Sequence, residues 1–239
     1  MDEAAFETKD GIPLTAVTAS EMRDVDRVTV EEVGLQLLSM MENAGRNLAG
    51  QVLRRNAENV VIYAGNGGNG GGGLVAARHL SNRDIDVSVV LDRDSSDLDG
   101  VAATQHEVVD AMNVAVTRDP AELDAFDAAD VAVDALVGYG LSGSLRGEAA
   151  ELVPAVESAE TVVSLDVPSG LDASTGETPG PAVTPDTVVT LALPKTGLKI
   201  LDATIVLADI AIPPVVYQRL DIPYRHPFAG EYCVELRGG

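Results

Sequence analysis

The sequence predicts an α/β fold: a Rossmann-like, three-layer α/β/α domain with a mostly parallel central sheet and two helices ahead of the first strand. Three observations carry this expectation. Strand and helix signals alternate along most of the chain. The strand candidates are apolar throughout, as in a parallel sheet covered on both faces. A glycine run stands between the first of these strands and the helix after it, where α/β sheets bind ligands. The 239 residues are within single-domain size. With 46% hydrophobic residues, 3% aromatics and no Trp, the core must be filled by Val, Ala, Leu and Ile.

Residues 1–17 read as an N-terminal extension, and residues 18–239 as one domain. Ser20, followed by Glu21, Met22 and Asp24, reads as the cap of a first helix. Leu35, Leu37, Leu38, Met41, Ala44 and Leu48 recur at helical spacing and predict a second. Strand candidates then follow at 60–64, 87–91, 114–116, 130–136, 161–165, 187–193 and 204–207, with helices at 74–80, near 100–112 and at 148–158.

A net charge of -22 and a pI near 4.2 argue against nucleic acid as a partner, since phosphates are repelled. Only three of the sixteen basic residues are lysines, Lys9, Lys195 and Lys199. Such an acidic chain with a small-residue core suits a salt-rich, halophilic cytoplasm, where screening acts within a few ångströms. Cys233 is the only cysteine, so no internal disulfide forms. The N-terminus lacks the apolar stretch of a signal peptide, and no apolar run is long enough to span a membrane. A cytoplasmic protein is expected.

Gly65, Gly67 and Gly70 satisfy GxGxxG after a strand, and Asp92 follows about twenty residues on, as in dinucleotide-binding folds. Backbone N–H groups opening a helix attract phosphate. Taken alone this reads as an NAD(P)-dependent dehydrogenase. The two preceding helices, the longer glycine run with Asn69, and the strand-end carboxylates Asp134 and Asp166 point elsewhere. A non-catalytic nucleotide-binding interaction domain is the other alternative.

Six ordered segments carry a family resemblance. They are Met40-Met41-Glu42-Asn43-Ala44-Gly45, the loop from Gly65 to Leu74, Val133 to Gly143 (VDALVGYGLSG), Leu165 to Asp172 (LDVPSGLD), and Leu193 to Leu198 with Asp209 to Pro213. The first four resemble the LMENAG, GxGNNGGDGL, VDALLGTGLxG and DIPSGLD motifs of the YjeF N-terminal domain family, the NAD(P)H-hydrate epimerases, and the last two complete the series. The match runs from about residue 18 to 217. Gly68 and Gly72 depart from it, standing where the family has Asn and Asp.

The resemblance implies an isomerase of metabolite repair that interconverts the R and S forms of hydrated NADH and NADPH (NADHX, NADPHX) at C6 of the nicotinamide ring. It implies Asp166 as the acid/base. It implies substrate contacts from Gly68, Asn69, Gly70, Gly71, Gly72, Gly138, Tyr139, Gly140, Leu141, Ser142, Gly143, Ser144 and Asp166. It further implies one monovalent cation per subunit, K+, on Asn69, Asp134 and Ser169, whose hard oxygens suit such an ion. A homodimer is expected, with a separate ADP/ATP-dependent NAD(P)H-hydrate dehydratase as pathway partner. Lys195 is expected to pair with a carboxylate or a phosphate. Glu42 and Asn43 are expected to face the glycine loop. His79, His106 and His226 have no clustered partners in the sequence and are expected on the surface, as are the acidic residues of 92–99.

Overall fold

The computed structural model describes residues 6–123 and 129–238. Its strands are β1 (Phe6–Thr8), β2 (Pro13–Leu14), β3 (Asn59–Ala64), β4 (Asp86–Leu91), β5 (Ala115–Thr117), β6 (Val131–Ala135), β7 (Thr161–Leu165), β8 (Thr187–Leu191), β9 (Thr204–Ala208) and β10 (Cys233–Gly238). The helices are α1 (Ala19–Arg27), α2 (Leu37–Leu53), α3 (Gly68–Ser81), α4 (Gly100–Ala111), α5 (Gly147–Glu151), α6 (Val153–Val156) and α7 (Pro214–Arg219).

All the strands join one sheet in the order β2-β1-β10-β9-β8-β7-β6-β3-β4-β5. The seven from β3 to β9 pair in parallel, while β10, β1 and β2 add an antiparallel edge. The expected architecture is therefore present. Val60, Ile62, Val89, Val131, Val133 and Val163 are buried under one helical face with α2, α3 and α4. Val61, Val90 and Ala132 point the other way, against α5 and α6. Burial on both faces explains why these strands carry no polar alternation.

The segment before residue 18 needs correction. Its residues 1–5 lie outside the described residues, but from Phe6 onward it belongs to the sheet. Phe6, Leu14 and Val17 are buried, and β1 pairs with β10. A strand of three residues facing another near the C-terminus leaves no periodic signal, so it reads as an extension. β10 was missed for the same reason.

Local chemistry moves several other boundaries. Thr18, not Ser20, caps α1: Glu21 reaches back to the Thr18 N–H while the Thr18 hydroxyl accepts from the Glu21 N–H, a capping box. The chain continues through a π-helical turn over 28–33 and stops at Gly34, φ +82°. The helix expected over 148–158 is broken into α5 and α6, because Pro154 offers no N–H to the turn before it. The strand expected over 187–193 ends at Leu191, since Ala192 turns left-handed at φ +64°. Among the described residues no helix is long and apolar enough to cross a membrane.

Deleting residues 1–17 removes three buried apolar side chains, each contributing about 1.5–3 kcal/mol, and unpairs one edge of β10. Urea denaturation is expected to show a loss of at least about 3 kcal/mol. An unchanged midpoint would show that this segment braces nothing.

Candidate active site

The strand order reverses between β3 and β6, which lie side by side although two strands, β4 and β5, separate them in sequence. At such a switch point the connections leave in opposite directions and open a crevice at the strands' carboxyl ends. A cavity of about 450 Å3 occupies it. Asn66 to Asn69 after β3, Leu136 to Gly140 after β6, and Asp166 after β7 line the sheet side. Residues of α1 and α2 close it from the helical side.

The glycine run is itself helical: α3 starts at Gly68 rather than at Leu74. Tertiary closeness overrides the low helix propensity of glycine here. A Cβ on Gly70 would stand 1.7 Å from the Gly65 carbonyl oxygen. One on Gly73 would meet Ala135 at 2.6 Å, and one on Gly72 would meet Leu165 at 2.8 Å. Gly70, Gly71 and Gly72, named above as substrate contacts, thus serve packing and are absent from the cavity wall, whereas Gly68 and Asn69 line it. Along the second loop Gly138, Tyr139 and Gly140 line the wall; Leu141, Ser142, Gly143 and Ser144 do not. Ser144 packs against the Gly180 backbone instead, its Oγ 1.9 Å from where a Cβ there would be.

Asp134 comes from within β6 and is wholly buried. Its Oδ2 accepts from the Ser164 hydroxyl at 2.8 Å and the Ser169 N–H at 2.8 Å, and its Oδ1 from the Ser169 hydroxyl at 2.5 Å. Burial pushes this carboxyl above its usual range, against the downward pull of these hydrogen bonds. Asn69 Nδ2 is buried without a partner, and such an atom calls for a ligand. Among the described residues no three His, Cys, Asp or Glu side chains group as a metal cage.

Asp166 stands one residue past β7 at φ +67°. The Val167 N–H bonds back to the Leu165 carbonyl at 2.9 Å, a γ-turn-like reversal at a positive φ that residues with a side chain seldom adopt. Such backbone costs about 1–3 kcal/mol and concentrates at functional sites. The turn presents one carboxylate oxygen to the Tyr139 N–H at 3.1 Å and the other to Lys195 Nζ. Lys195 has no exposed surface. Its ammonium also donates to the Leu191 carbonyl at 2.8 Å and lies 5.7 Å from the centre of the Tyr139 ring. The expected carboxylate partner of Lys195 is therefore the candidate acid/base itself. Gly138 sits between the functional side chains: a Cβ there would stand 3.0 Å from both Asn69 Oδ1 and Asp166 Oδ2.

Several wall residues escaped the sequence reading. Asp26 on α1 is half-buried, lines the cavity and accepts a hydrogen bond from the Tyr139 hydroxyl. Its signal was a carboxylate in a helix stripe of buried residues, Met22, Val25 and Thr29. Arg23 and Arg93 also reach the wall. Asp92, expected on the solvated surface, lines the cavity with 7% of its side chain exposed and is held by Arg93 at 2.9 and 3.1 Å. Glu42 does not touch the glycine turn; it binds Arg78 and His79 farther along α3, so His79 has a partner after all.

The two departures from the motif differ in surroundings. A Cβ on Gly68 meets only Met41 Sδ, at 3.5 Å. Gly72→Asp would force a carboxylate into the Leu165 side chain. Thermal denaturation is expected to show Gly68→Asn within about 0.5 kcal/mol of the parent and Gly72→Asp destabilised by at least about 3 kcal/mol. Equal melting temperatures would refute this packing role for Gly72.

The family model described as YjeF-related protein N-terminus matches residues 37–197. The chain is 43% identical to the NAD(P)H-hydrate epimerase of Dehalogenimonas lykanthroporepellens, over 97% of this chain and 96% of that one. It is 33% identical to the NAD(P)H-hydrate epimerase of Rhodopirellula baltica, over 82% of each. It is 38% identical to the bifunctional NAD(P)H-hydrate repair enzyme of Hyperthermus butylicus, of which it spans 39%. A yeast protein of known crystal structure shares the fold, with a TM-score of 0.79, 23% identity, and coverage of 92% of this chain and 99% of that one. With this match and these relatives, the chain belongs to the YjeF N-terminal domain family, that of the NAD(P)H-hydrate epimerases.

Proposed function

We infer that the chain is an NAD(P)H-hydrate epimerase acting on NADHX and NADPHX in metabolite repair, with Asp166 as its acid/base. The observation that carries the assignment of Asp166 is a strained, ion-paired carboxylate on the cavity wall, one glycine away from the start of the first helix after the sheet's switch point. The C6 hydroxyl of the hydrated ring sits on a carbon bonded to nitrogen, a hemiaminal. The nitrogen lone pair assists departure of water, and water returning on the other face gives the second epimer. Both steps move a proton at oxygen, which a positioned carboxyl supplies. The N–H groups that open α3 suit the nucleotide phosphates. Arg23 adds positive charge to the wall of a strongly acidic protein, where Arg93 is already paired with Asp92.

A monovalent cation, K+ in this proposal, fits the donors present. Asn69, Asp134 and Ser169 would hold it, one ion per subunit, with the Val137 carbonyl already 3.2 Å from Ser169 Oγ. Rotating the Asn69 amide turns its unpartnered end into an acceptor. The ion supplies the positive charge that Asp134 lacks. Relatives named as bifunctional NAD(P)H-hydrate repair enzymes favour an ADP/ATP-dependent NAD(P)H-hydrate dehydratase as the partner activity. The acidic surface suits work in a salt-rich cytoplasm.

Separated R and S epimers, incubated in high potassium chloride and resolved by chromatography, test the activity. The protein is expected to interconvert them faster than a protein-free control, and a rate equal to the control refutes the assignment. Asp166→Asn is expected to lower the rate by at least about 100-fold. It also strands the Lys195 charge, at about 3–5 kcal/mol. The pair Asp166→Asn with Lys195→Met separates the effects: it is expected to fold and to stay inactive, and full activity in it removes Asp166 from the chemistry.

The cation has its own readout. The melting temperature is expected to rise more in potassium chloride than in lithium chloride of equal concentration, and Asn69→Ala is expected to erase the difference. An identical response of the parent protein to both salts counts against the ion.

A further inference from the structure

One carboxyl does not suit both halves of this reaction. A group that protonates the departing hydroxyl must be an acid, and a group that deprotonates incoming water on the other face must be a base. Asp166 is locked to an ammonium, an arrangement suited to the base. The site contains a second carboxyl for which the reading above has no use.

That carboxyl is Asp26, and one tyrosine joins it to Asp166. The Tyr139 N–H donates to Asp166 Oδ2 at 3.1 Å, while the hydroxyl at the other end of the same residue donates to Asp26 Oδ2. Both carboxyls and the tyrosine line the one cavity. They reach it from different walls, Asp166 from the strand ends and Asp26 from α1. We propose that Tyr139, with Asp26 behind it, is a second proton-transfer arm that serves the face of the bound ring opposite Asp166. This rests on the epimerase reading.

Every proton is accounted for. The Tyr139 hydroxyl gives its proton to the C6 hydroxyl, the C6–O bond breaks, and water departs as the ring nitrogen lone pair forms C=N. The Asp26 carboxyl re-protonates the tyrosine oxygen. A water on the other face then bonds to C6, the lone pair returns to nitrogen, and that water's proton goes to the Asp166 carboxylate. Solvent carries the proton back from Asp166 to Asp26. The opposite epimer runs the same steps in reverse.

The surroundings of Asp26 favour its acid form. Burial raises this carboxyl above its usual range, and the negative charge of Asp166 pushes the same way. The Tyr139 hydroxyl and the Lys195 ammonium pull it down without prevailing. Arg23 acts on Tyr139 from the same helix, and Tyr217 of α7 faces Asp26 from the side. With Asp26 protonated, the hydrogen bond to Tyr139 reverses and the tyrosine hydrogen is free for the substrate.

The test compares Asp26→Asn, Asp26→Glu and Tyr139→Phe with the parent, using separated NADHX epimers across pH. Asn at 26 still accepts from Tyr139, so the fold is expected to persist, as circular dichroism will show. The parent rate is expected to fall as pH rises through the Asp26 titration. Asp26→Asn and Tyr139→Phe are each expected to lower kcat by about 100-fold, with KM changed less than threefold, and Asp26→Asn to lose that limb. Asp26→Glu is expected to recover both rate and limb. If the parent is active and Asp26→Asn stays within threefold of it, or keeps the limb, the second arm is refuted while the epimerase assignment stands. A parent no faster than the protein-free control instead refutes both.

Discussion

A lysine with no exposed surface needs its charge answered where it lies, because an unpaired ammonium in a protein interior costs several kcal/mol. Lys195 is answered by Asp166 and the Leu191 carbonyl. Much of the site follows from this pairing. It holds the Asp166 side chain against the cavity wall and helps keep a left-handed backbone that would otherwise relax. It also draws the Tyr139 backbone N–H toward the other carboxylate oxygen. A protein with so few lysines thus commits one of them to its interior.

The glycine run shows how a motif can mislead about mechanism while being right about place. Its spacing resembles the phosphate-cradling fingerprint of dehydrogenases, and its first residues do line the cavity. From Gly70 onward the same glycines let α3 settle on β3, β6 and β7 at distances that a side chain would block. The bare backbone at Gly138 meets the same need on the other loop, leaving room for Asn69 and Asp166 to approach one another.

The parallel part of the fold was legible because each strand is an unbroken apolar run between turn signals. Val60 to Ala64 and Val131 to Ala135 fall where the sequence reading put them, to within a residue. The antiparallel edge was not legible. Phe6–Thr8 and Cys233–Gly238 owe their conformation to each other across nearly the whole chain, and local pattern carries no trace of that. At the site, Asp134 and Ser169 meet through two hydrogen bonds, and Asp166 lines the crevice. Asp26 stayed hidden because a helical carboxylate beside Asp24 and Arg27 reads as surface until the helix is seen against the cavity. The packing role of Gly70 to Gly72 was equally invisible, since only the neighbours' positions reveal it.

Val17 lies beside Lys195 in a short parallel bridge, its N–H on the Pro194 carbonyl and its carbonyl receiving the Thr196 N–H, both at 2.9 Å. One residue later the chain caps α1, the helix that carries Asp26. This bridge works as a spacer bar, with one wall of the crevice rooted at one end and the lysine that steadies the other wall rooted at its far end. The gauge of the crevice is thereby fixed before any nucleotide arrives, so little ordering is left for the ligand to impose on binding.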